Sequence, residues 1–199
     1  VMSADEIEGG SKEFAALSQV AKDAGESTIF TATQAGEALN YLALAGYNVE
    51  RSIQTLPAVL DLAAAGGLDL AYATNLVTDG TAALEIGIED LNDYIDKMAR
   101  TSQKSNTNVA QLGEAILKVA GTARTAGMDL DILNSSLGVL ANNGIKGAEA
   151  GTRLRNILLS LTSPTDAAAK QFTELGIQVA NTDGSIRDIN LIMDDFNSK

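Results

Sequence analysis

Residues 129–161 read DLDILNSSLGVLANNGIKGAEAGTRLRNILLSL, and this stretch decides the fold. Asp129 is a good N-cap, and behind it Leu133, Leu137 and Leu140 recur at helical spacing. Asn143-Gly144 then supplies a stop, because glycine accepts the left-handed backbone that closes a helix. A second helix is expected from about Gly147 to Leu161. The unit is a capped helix, a glycine break and another helix, with no alternating β-branched run.

The same grammar extends in both directions. Phe14, Leu17, Val20 and Ala21 mark a first helix ending near Gly25. Thr31 stands three residues before Gln34, a capping-box spacing that opens a helix through Leu39, Leu42 and Ala43 to Gly46. Asn48 caps the next segment. Its Pro57 would clash with the carbonyl four residues back, so a kink or restart is expected near residues 55–57, before a helix running to Gly66-Gly67. Asp69 caps a helix with Ala73, Leu76, Val77 and Leu84, weakened by Gly80. Leu91, Tyr94, Ile95 and Met98 form the stripe of another, and Asn108, three residues before Gln111, opens one with Leu112, Ile116, Val119 and Ala120. Ser163-Pro164 combines an N-cap with proline at the first helical position, for a helix closing at Gly176. Asp183-Gly184 between short alternating segments predicts a small β-hairpin near the C-terminus, before a last helix with Ile189, Ile192, Met193 and Phe196.

Composition agrees. Hydrophobic residues make up 45% of the 199, aromatics only 4%, with two prolines and no tryptophan, so Leu, Ile, Val and Ala must fill the core. The fold class expected is all-α, a bundle of nine or ten helices. An internal echo points to two stacked, repeat-like units: Gly36-Glu37-Ala38-Leu39 returns as Gly113-Glu114-Ala115-Ile116, and Gly67-Leu68 as Gly144-Ile145 at the same offset. Leu56 and Leu60 land on Leu133 and Leu137, and all four, with Leu140, are expected in the core. The division expected is an N-terminal helical segment over 1–30, a first helical unit over 31–104, a second over 105–176, and a hairpin with a terminal helix over 177–199, together one compact domain.

Chemistry is poorly supplied. Cysteine and histidine are both absent, which removes disulfides, thiol catalysis and the commonest metal ligand and general base. Asp129 and Asp131 lie two apart and cannot share a helix face. Asp194-Asp195 is expected to face solvent. Asn181-Thr182-Asp183-Gly184-Ser185 loosely resembles a calcium loop, but positions six and twelve from Asn181 hold Ile186 and Ile192 where glycine and glutamate are needed. Gly144-Ile145-Lys146-Gly147 has the form of a backbone-clamping loop without the surrounding sheet and reads as a helix junction. Lys146, Arg153 and Arg155 are the compact basic cluster, with the two arginines on different faces. No catalytic, cofactor-binding or metal-ligating residue is proposed, and no enzymatic activity is expected.

The net charge of −12 argues against tight nucleic-acid binding. It is uneven: residues 1–96 carry 16 acidic and 3 basic side chains, residues 97–199 carry 10 and 11. The basic group Lys97, Arg100 and Lys104 opens the second part, so weak self-association between the acidic part of one copy and the basic part of another is expected. No apolar run reaches the length of a membrane span. No basic region followed by an apolar run opens the chain, so no signal peptide is expected. The ends carry no terminal signature, as in an excerpt of a longer chain.

The ordered string TIFTATQAGEAL (28–39), LAGY (44–47), LPAVLDLAAA (56–65), LDLA (68–71), LGVLANNGIKG (137–147) and AGTRLRNIL (150–158) resembles the core region of the tape-measure proteins of long-tailed phages and prophages. The resemblance runs from about Phe14 to Phe196. It implies a structural role: occupying the tail lumen, setting tail length during assembly in the host cytoplasm, and leaving when DNA is ejected. It also implies tail-tube, tail-chaperone and tail-tip partners and no general active site. The helical periodicity and the echo fit a second class equally, a helical-repeat adaptor holding a protein or peptide in a groove.

Overall fold

The computed structural model describes residues 4–198, with side chains described for 9–189 and 191–198. Ten α-helices follow one another, and no strand occurs among the described residues: α1 (Ala4–Ser27), α2 (Ala32–Leu44), α3 (Val49–Gly66), α4 (Leu70–Leu84), α5 (Leu91–Lys104), α6 (Val109–Thr125), α7 (Leu130–Asn142), α8 (Gly147–Thr162), α9 (Asp166–Leu175) and α10 (Ile189–Asn197). A short 3-10 turn over Ile88–Asp90 leads into α5. The described residues divide into two compact units. One takes the chain up to Thr81 with Ile86–Ile95, the other Ala82–Glu85 with the chain from Asp96 onward.

Most helix starts are where their capping residues put them. Thr31 and Gln34 form the complete reciprocal box at the head of α2. Asn48, Asp69, Asn108 and Asp129 accept from backbone N–H groups in the first turns of α3, α4, α6 and α7. Gly67, Gly127, Gly144 and Gly176 all sit at positive φ just past a helix.

Three expectations need correction. Helix α3 passes through Pro57 as one continuous element. Pro57 lies on the exposed face, where its missing N–H faces away from the packed side, while Thr55, Leu56, Ala58, Val59 and Leu60 around it are all buried. The cap of α9 is Thr165, whose hydroxyl accepts from Ala168 N; Ser163 instead closes α8. The hairpin does not form strands. One antiparallel bridge pairs Ala180 with Ile186, and the Ile186 N–H is committed instead to the Ala126 carbonyl at the end of α6, 2.7 Å away. The segment is a tight turn anchored by buried Ile177 and Ile186. Helix α1, expected to end near Gly25, closes at Ser27, and its Phe14 is 72% exposed.

In the first unit α2 packs between α1 and α3, with Ala35, Ala38, Leu39 and Leu42 buried. Leu56 and Leu60 are buried as expected, and the buried Tyr94 ring of α5 lies on Gly80 of α4, where any β-carbon would overlap the phenol. Gly80 is therefore not simply a weak point in α4; it makes room for the largest buried side chain of the unit. Burial pushes the Tyr94 phenol well above its ordinary range.

In the second unit α6 and α8 form the closest pair. Gly151 makes this possible: a β-carbon there would stand 2.8 Å from the Ala115 carbonyl carbon and from Lys118 Cβ. Around the crossing Leu112, Ile116, Val119, Leu154 and Leu158 are buried. Leu133 and Leu137 are buried too, whereas Leu140 is only half-buried. The echo between the two parts holds for the buried pairs Leu56/Leu133 and Leu60/Leu137 but not for the crossing of α6 and α8. Counting back the 77 residues that separate the caps Thr31 and Asn108, Gly151 falls on Thr74. Thr74 is buried and bonded to its own helix, and a threonine cannot admit a backbone as closely as glycine.

Candidate functional site

The acidic residues singled out in the sequence serve structure. Asp129 caps α7, and Asp131 pairs with Lys97 of α5 at 3.0 Å. Asp195, expected in solvent, is half-buried and holds Arg187 at 2.7 Å, tying the turn to α10; its neighbour Asp194 is exposed. Asp183 accepts from the Ser185 N–H and hydroxyl, which hold its carboxyl below the usual range. Among the described residues no cluster of three or more acidic side chains is arranged to hold a metal ion.

The basic cluster is also dispersed. Arg153 pairs with Glu149 one turn back, and Lys146 donates to the Asn106 side chain at 2.8 Å. Arg155 is exposed on another face. Gly144 and Gly147 have positive φ and make the junction between α7 and α8.

Two grooves flank α7 instead, and both belong to the second unit. The first lies against α5. It encloses about 440 Å³, with Lys97, Arg100 and Lys104 along it beside Asn134, Ser135 and Asn142. The second, about 330 Å³, runs between α7, α8 and α10 and is walled by Val139, Leu140, Leu154, Ile157, Ile189 and Met193. Ser135 and Val139 border both. The arrangement is an apolar trough with cations beyond one wall. The basic row was legible in the sequence; the trough was not. Its one sequence signal is Val139, an apolar residue off the Leu133–Leu137 stripe and 61% exposed.

The profile of the family described as phage-related minor tail protein matches residues 18–199. The chain belongs to that family. The tape measure protein of Pneumococcus phage Dp-1 is 32% identical over 175 residues, covering 88% of this chain and 15% of that protein. The "probable tape measure protein" of Escherichia phage P2 is 27% identical over 183 residues, 92% of this chain and 22% of that one. The chain thus spans less than a quarter of either relative's length, and neither relative is named as an enzyme. No solved structure matches it. The match to a resemblance carried by helix junctions alone assigns the segment a structural place in a phage tail.

Proposed function

We propose that this segment is a folded module of a tape-measure protein, taking part in tail-length determination and tail assembly and leaving the tail when DNA is ejected. The observation that carries the reading is the match of residues 18–199 to the tail family, together with the names of the two relatives. Tail-tube, tail-chaperone and tail-tip proteins are the partners this role calls for, and the host cytoplasm is where they would be met.

A physical argument sets what the module contributes to length. A continuous helix advances about 1.5 Å per residue, so the 182 matched positions would add about 270 Å if drawn out as one rod. Capped, glycine-closed helices packed on one another advance far less per residue. In-frame deletion of this stretch from the parent gene, with tails measured by electron microscopy, tests the role. The expected result is defective assembly, or tails shortened by much less than about 270 Å. Normal numbers of tails with unchanged length and infectivity would remove the role; shortening by the full rod length would remove the folded module.

A further inference from the structure

Two features lack a counterpart within the units that contain them. The first is the apolar trough between α7, α8 and α10. Val139, Ile157 and Met193 each leave more than a third of their surface exposed on it, although all three sit within helices. Methionine and branched aliphatic walls around a shallow floor are the surface that receives one face of an amphipathic helix. Across α7 the adjoining groove carries the cationic row Lys97, Arg100 and Lys104, in which Lys97 pairs with Asp131 and Arg100 with Asp96. An occupant therefore needs an apolar anchor carried on an acidic element.

The second feature is the first half of α1. From Gly9 to Ala16 every side chain is exposed, so this part of the helix extends beyond what it packs against. Phe14 is its large apolar residue, and the part of the chain that carries it has 16 acidic to 3 basic side chains. A phenyl ring buries about 150–250 Å² when it finds a pocket.

We propose that the trough between α7, α8 and α10 receives the Phe14 face of α1 from a second copy of this chain, with the α5 cations drawing in its acidic surroundings. One aromatic anchor and one helix face fall well short of the roughly 1,200 Å² that a stable interface buries, so the contact is weak, reversible and salt-sensitive.

The absence of cysteine allows a direct test. Ser11→Cys lies one turn from Phe14 on α1, and Ser136→Cys lies at the rim of the trough. The two single-cysteine proteins are mixed and treated with a short bismaleimide, so that every heterodimer is between copies. Ser160→Cys, exposed on α8 outside the trough, replaces Ser136→Cys in the control. The expected result is several-fold more heterodimer with the trough cysteine, decreasing as salt rises. Adding Phe14→Ser to the Ser11→Cys protein should return the yield to the control level; Phe14 is exposed, so its loss does not unfold α1. Equal yields at the two positions, or a trough yield indifferent to Phe14→Ser, would overturn the proposal.

Discussion

Gly151→Ala is the most informative single substitution in the second unit. The new β-carbon would meet the Ala115 carbonyl carbon and Lys118 Cβ at 2.8 Å, and the Ala115 oxygen closer still. Carbon atoms in contact prefer about 3.5–4.0 Å, so α6 and α8 must part by nearly 1 Å along their buried seam. Overpacking of this kind costs about 1–3 kcal/mol, and the obstacle here is backbone rather than a side chain that can rotate. Alanine returns about 1 kcal/mol of helix preference over glycine, leaving a net loss of up to about 2 kcal/mol. Gly121→Ala on α6 makes the control, because a β-carbon there meets nothing within 4 Å. That change should stabilise the same unit by about 1 kcal/mol. For a unit of this size each kcal/mol moves the midpoint by about 4–8 °C, so thermal unfolding followed by circular dichroism should shift down for one variant and up for the other. Two upward shifts would refute the close approach of α6 and α8.

Three further outcomes follow from the same coordinates. Pro57→Ala should stabilise the first unit, by as much as about 3 kcal/mol in urea unfolding, since the residue sits on an exposed face and the new N–H can bond Ile53. Leu137→Ala should cost about 2–5 kcal/mol and the half-buried Leu140→Ala clearly less, and equal losses would mean that the trough is filled. The lowered Asp183 carboxyl stabilises the turn over 181–187 above the ordinary carboxylate range, and that contribution should disappear as pH falls through the lowered pKa; an NMR titration in which Ser185→Ala leaves the Asp183 midpoint in place would contradict it.

What the sequence made readable was local. Thr31, Asn48, Asp69, Asn108 and Asp129 announce their helices because a cap is a bond between neighbours in the chain. Leu133 and Leu137 announce a core because helical spacing is local too. The misreadings have a tertiary cause. Pro57 reads as a break until the burial of Leu56, Val59 and Leu60 around it is known. The turn at Asp183-Gly184 reads as a hairpin until the Ala126 carbonyl takes the Ile186 N–H. Gly80 reads as a weak point until Tyr94 is seen against it. The trough was out of reach for the same reason, since its walls come from three helices and only Val139 breaks the pattern of its own.

The division of the chain into short, separately closed helices has a mechanical consequence. The longest, α1, has 24 residues and reaches only about 36 Å. Helices of this length have little stability alone in water and depend on their neighbours for it. Under tension applied at the chain ends, the load therefore falls on side-chain seams such as that between α6 and α8 rather than on a backbone rod. Once a seam parts, the released helices lose what held them, so the segment should lengthen in steps, each set by one seam.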